Sequence, residues 1–146
     1  MRTVDVGSRL PQMSPADNEK ELAPRAILIV DDEPSIGFLL TEMLQSTGHP
    51  ILTAGSVSEA LTHLKSRPIA VLIVDVQLAG TDGIAFLQQA LEVDSRLLSI
   101  VMTGHGNIEL AVRAMKSGAA DFLTKPFEVE LVRQSVSRLL ELYRLR

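Results

Sequence analysis

The chain has no cysteine and no tryptophan, and it holds one tyrosine and four phenylalanines among 146 residues. Without thiols there is no disulfide, no thiol nucleophile and no cysteine-ligated zinc. With so few aromatic rings the core has to be aliphatic. Long apolar runs are missing too. The longest, "IAVLIV" (Ile69–Val74), is far too short to cross a bilayer. The N-terminus lacks the apolar stretch of a secretory signal, so no membrane partner is expected and the expected location is cytoplasmic. Nor is there excess positive charge. Fourteen Lys and Arg against 18 Asp and Glu leave a net charge of −4, which gives this chain no electrostatic reason to bind nucleic acid directly. What remains, 46% hydrophobic and 22% charged, is the balance of a globular protein, and the length fits one domain.

Residues 1–25 carry three prolines and mixed charge with no sustained periodicity, and are expected to form a flexible N-terminal tail. The folded domain is expected over 26–146. There, short apolar runs at Ala26–Val30, about Pro50–Ala54, Ile69–Val74, Leu97–Met102 and Ala119–Leu123 alternate with segments of helical spacing. Ile36, Leu39, Leu40, Met43 and Leu44 form one amphipathic stripe. Val57, Ala60, Leu61 and Leu64 form a second, and Ile108, Ala111, Val112 and Met115 another. A weaker helix is read over Asp82–Val93 and a final one over about Glu128 to Tyr143. Pro34 suits the first turn of a helix, and the glycine of "STGHP" suits the end of one. Strict alternation of strand and helix predicts an α/β fold: a parallel sheet with helices on both faces, a three-layer sandwich.

In such a sheet every strand ends at the same edge, and ligands bind in the crevice outside it. The residues following each run are therefore the candidates: Asp31 and Asp32 after the first, Asp75 after the third, Thr103 after the fourth and Lys125 after the fifth. If strand one lies between strands two and three, the three aspartates are neighbours. At about 4 Å and an effective dielectric of about 20, each like-charged pair costs on the order of 4 kcal/mol. Either a proton stays on or a cation binds. A divalent ion together with the Lys125 ammonium would balance the charge, and Mg2+, which is content with a few carboxylates and waters, is the natural choice. Each residue also has a plainer reading: an aspartate capping the next helix, a loop acid, a helix-starting threonine, a solvated lysine. Accidents at four separate strand ends are less probable than one shared site.

The segments "ILIVDDEPS", "VLIVDVQLAGTDG" and "IVMTGHGNIELAVRAMKSGAADFLTKPF", with the spacing between them, resemble the receiver domain of two-component response regulators over about Ala26 to Arg146. The last segment is most similar to receivers attached to DNA-binding transcriptional outputs. The resemblance implies a flavodoxin-like (βα)5 fold with sheet order 2-1-3-4-5. It also implies roles. Asp75 would accept a phosphoryl group from a phosphohistidine on a sensor histidine kinase or a phosphotransfer protein. Asp32, Asp75 and the Gln77 backbone carbonyl would ligate Mg2+, with Asp31 acting mainly through water. Lys125 would bind a phosphoryl oxygen, Thr103 would swing toward the phosphoryl group, and Phe122 would be the aromatic switch. The Lys125–Pro126 peptide would be cis. The face formed by the fourth helix, fifth strand and fifth helix would then act on an output domain or partner, or form a homodimer.

Two positions depart from the family pattern: Ala79 stands where proline is usual and Thr81 where methionine is common, which bears on the rigidity of the loop after Asp75. Gln77 and His105 occupy positions that tune phosphoryl lifetime in the family. Two other readings compete. A metal-dependent phosphohydrolase with an aspartyl nucleophile commonly carries a second acid two residues on, where this chain has Gln77, which cannot serve as acid or base. A receiver-like interaction module that never takes phosphate would not need all of these polar positions. Nucleotide binding finds no support, because no GxxxxGK[ST] is present and "GHG" lacks the third glycine of a dinucleotide fingerprint.

Overall fold

A computed structural model describes residues 24–104 and 107–145. The expected tail, apart from Pro24 and Arg25, lies outside the described residues, as do His105 and Arg146. Five strands, β1 (Ala26–Val30), β2 (Ile51–Ala54), β3 (Ile69–Asp75), β4 (Leu98–Thr103) and β5 (Asp121–Thr124), alternate with five helices. These are α1 (Pro34–Leu44), α2 (Val57–Ser66), α3 (Gly83–Val93), α4 (Ile108–Lys116) and α5 (Val129–Arg144). All strand pairings in the main sheet are parallel, in the order β2-β1-β3-β4-β5. The expected topology is therefore the observed one.

β1 and β3 are buried at every residue, as strands covered on both faces must be. Their alternating side chains divide the core in two. Leu28, Val30, Leu72 and Val74 pack with Ala60 and Leu64 of α2, Phe86 and Leu87 of α3, and Ala114 of α4. Ile27, Ile29, Val71 and Ile73 pack on the opposite face with Leu40 and Leu44 of α1 and Val132, Val136 and Leu139 of α5. The core is aliphatic apart from Phe86 and Tyr143.

Local chemistry accounts for most boundaries. Pro34 opens α1, where a missing N–H leaves nothing unsatisfied. The single 3-10 turn after α1, Gln45–Thr47, ends at Gly48 with φ +79°, a left-handed conformation that glycine takes without strain. Ser56 caps α2 by accepting the Glu59 N–H.

Two readings shift. The run Ala119–Leu123 enters the sheet two residues later than its apolar character suggests, because Gly118 at φ +113° is still turning the chain out of α4. In α4 the buried residues are Ala111 and Ala114, with Leu110 packed against the core, whereas Ile108, Val112 and Met115 face outward. Small side chains let this helix lie close to the sheet, and the larger apolar residues are left on the surface.

Candidate functional site

β1 and β3 are adjacent in parallel register, with Val30 opposite Val74, so the residues after Val30 and the last residue of β3 emerge side by side. Asp31, Asp32 and Asp75 each present an oxygen to one cluster, within 4.8 Å of one another. Lys125, after β5 at the same edge, reaches back across the sheet. Its Nζ donates to Asp75 Oδ2 at 2.8 Å and Asp31 Oδ2 at 3.0 Å, and lies 3.9 Å from Glu33 Oε1. The Lys125–Pro126 peptide is cis, as the resemblance implied.

The plainer reading of Asp31 and Asp32 as caps of the next helix does not hold. The N-cap of α1 is Glu33, with no side-chain cap bond. Asp31 instead uses Oδ1 to accept the Glu33 N–H at 2.8 Å, and Asp75 Oδ1 accepts the Gln77 N–H at the same distance. Asp32 Oδ2 accepts the N–H of Ala79 at 3.0 Å.

Burial pushes the Asp31 carboxyl above the ordinary aspartate range, and the neighbouring Asp75 charge adds to this; the Glu33 amide and the Lys125 ammonium oppose it without prevailing. Burial also works against the Lys125 charge, but the hydrogen bonds and charges of Asp75 and Asp31 outweigh it and raise its pKa. Three carboxylates and one ammonium leave two negative charges uncompensated when all are ionised. A hard dication bound by oxygen matches that deficit and that donor set, so the residues present fit a Mg2+ ion.

The remaining predicted residues flank this cluster. Thr103 ends β4 at 1% exposure, and its hydroxyl has no hydrogen-bond partner among the described residues. An unpaired buried hydroxyl costs free energy, of order 1–3 kcal/mol. Phe122, by contrast, is 41% exposed and lines a groove of about 520 Å³ between β5 and α5. Gln77 begins a two-residue antiparallel ladder, Gln77 opposite Asp82 and Leu78 opposite Thr81, which folds the loop after β3 into a tight hairpin.

Sequence reasoning missed one residue here. A Cβ on Gly83 would sit 2.1 Å from the Asp75 carbonyl oxygen and 2.7 Å from the Val76 Cα. The Gly83 N–H donates to the Val76 carbonyl at 2.9 Å, so the start of α3 lies directly on the backbone that carries Asp75. Its sequence signal, a glycine after the helix-capping Asp82, reads as an ordinary turn.

The family model for the response regulator receiver domain matches residues 27–137. The chain belongs to that family: it contains a receiver domain of two-component response regulators. It is 38% identical over 124 residues to the C4-dicarboxylate transport transcriptional regulatory protein DctD of Pseudomonas aeruginosa, a match covering 84% of this chain and 27% of that protein. It is also 38% identical over 122 residues to the nitrogen assimilation regulatory protein NtrX of Azorhizobium caulinodans, covering 82% of this chain and 27% of the relative. Among solved structures, the receiver domain of NtrX from Brucella abortus superposes with a TM-score of 0.75 at 37% identity, over 79% of this chain and 98% of that one. The chain thus spans about a quarter of the length of these two relatives. No described helix is long and apolar enough to cross a membrane.

Proposed function

We propose that Asp75 is the phosphoacceptor of this receiver and that its phosphorylation switches the face formed by α4, β5 and α5. The observation that carries the reading is the Lys125 ammonium shared between Asp75 and Asp31, beside a third carboxylate, at the carboxyl edge of the sheet. The Asp75 carboxylate attacks the phosphorus of a phosphohistidine on a sensor histidine kinase or phosphotransfer protein. The new O–P bond forms as the N–P bond breaks, and the imidazole leaves. Little covalent help is needed in such a transfer; positioning and charge neutralisation dominate. Mg2+ bound by Asp32, Asp75 and the Gln77 carbonyl, with Asp31 acting through water, would neutralise charge on the phosphoryl oxygens. Lys125 is placed to transfer its hydrogen bond from Asp75 Oδ2 to a phosphoryl oxygen.

Phosphorylation replaces one negative charge with about 1.5 to 2. The Thr103 hydroxyl, already desolvated and without a partner among the described residues, is the donor that gains most from moving toward that charge. Its movement opens space for the outward Phe122 ring to turn in, a population shift between two packings. The exposed Ile108, Val112 and Met115 of α4 and Leu142 of α5 give the switched face apolar anchors for an output domain, a partner or a second copy of the chain. By analogy with relatives named as transcriptional regulators, the output is transcriptional. The chain itself works stoichiometrically rather than as a turnover enzyme.

The test is labelling by a small phosphodonor such as acetyl phosphate. Incorporation is expected to require Mg2+, to reach one phosphoryl group per chain, and to be labile to hydroxylamine. Asp75→Asn is expected to abolish it; equal labelling of that variant would refute the assignment. Sustained turnover of phosphate esters would favour a hydrolase instead.

A further inference from the structure

The three acids are not steadied alike. Asp31 and Asp75 each accept an amide from two residues further along, at 2.8 Å, and both share Lys125. Asp32 is exposed, and the hydrogen bond that holds it arrives from 47 residues away: Ala79 N–H to Oδ2, 3.0 Å. Ala79 sits at the tip of the hairpin that follows Asp75. Leu78 and Thr81 are paired across it, and Gly80 has φ +71°. A positive φ at the third of four turn residues, after a residue of negative φ, is the pattern of a type II turn. Its second position, occupied by Ala79, is one that proline favours. Alanine there keeps an N–H that proline would lack.

We propose that the Ala79 backbone N–H is a positioning group for Asp32: it holds one carboxylate oxygen while the side chain stays within reach of Asp31 and Asp75, and so couples the order of the 77–82 hairpin to Mg2+ binding. The proposal rests on the reading of Asp32 as a metal ligand. Partners of metal ligands are often worth ten- to a hundredfold in affinity, and exposure places this one at the lower end.

Ala79→Pro isolates the effect. It deletes the N–H, while the turn geometry and the extended Leu78 before it both accept proline, so the metal-free melting temperature should match or exceed that of the parent. Calorimetric titration with MgCl2 is expected to show a Kd about tenfold weaker for Ala79→Pro. Ala79→Ser, which retains the N–H, should bind within twofold of the parent. In the parent, the Ala79 amide resonance should shift on Mg2+ titration with the same midpoint as binding. Parental Mg2+ affinity in Ala79→Pro would overturn the proposal and leave the acid site intact. Failure of the parent itself to bind Mg2+ would instead refute the metal-ligand reading, and the proposal with it.

Discussion

Replacing Lys125 with methionine keeps most of the aliphatic stem and deletes the charge that touches two of the three acids. In the parent, Nζ lies 2.8 Å from Asp75 and 3.0 Å from Asp31, whose side chain is 1% exposed. Removing one partner from a buried ion pair costs about 3–5 kcal/mol, because the other is left as an uncompensated charge. The lysine side chain is 22% exposed, so water enters and tempers the loss. A cost of about 2–4 kcal/mol follows, equivalent to a fall in melting temperature on the order of 10 °C for a domain of this size. The measurement is thermal unfolding by circular dichroism in metal-free buffer at pH 7. At that pH the whole lysine contribution is present. Its folded pKa is raised, so the stabilisation is complete below the ordinary value of 10.5 and fades only as pH climbs through the folded value.

Acid then supplies the control. Burial already pushes the Asp31 carboxyl up, and losing the lysine removes an effect that lowers it. The folded variant therefore binds more protons than its unfolded chain, and its stability rises as pH falls toward the raised value. The deficit relative to the parent should shrink as pH falls from neutrality toward the ordinary aspartate range, where the raised Asp31 carboxyl of the folded variant takes up its proton. Two results would refute this account: parental melting at pH 7, or a deficit that stays constant across that range.

The other expectations follow from single contacts. Gly83→Ala places a Cβ 2.1 Å from the Asp75 carbonyl oxygen, so α3 or the acceptor strand must move; a loss of about 2–3 kcal/mol and impaired phosphoryl labelling are expected, and a parental melting temperature would contradict the close approach. Thr103→Val removes a buried hydroxyl that has no partner among the described residues. Its stability should be unchanged or up to about 1 kcal/mol higher, while the chemical-shift response of β5 and α5 to phosphorylation is lost. A large destabilisation would mean that the hydroxyl is satisfied.

Much of the site was written in order along the chain. Short runs of aliphatic residues alternating with helical stripes argue for strands buried on both faces. Parallel connectivity then sends Asp31, Asp32, Asp75, Thr103 and Lys125 to one edge, whatever the details of packing. Charge arithmetic among those residues called for either a retained proton or a bound cation before any distance was known. The outward side of α4 was less legible, because Ile108, Val112 and Met115 carry the same periodicity as a core stripe; only the close seating of Ala111 and Ala114 decides which side is buried.

Tertiary structure alone decided the finer placement of the acids. Hydropathy and spacing carry no information about which amide meets which oxygen across 47 residues, so the hold of Ala79 on Asp32 was invisible. The same is true of Gly83, whose need to be glycine comes from a backbone contact made only when α3 docks. Sequence sets which chemical groups arrive at the sheet edge, because strand direction is a property of connectivity. Their exact partners depend on distances of a few tenths of an ångström, which arise only once the layers have packed.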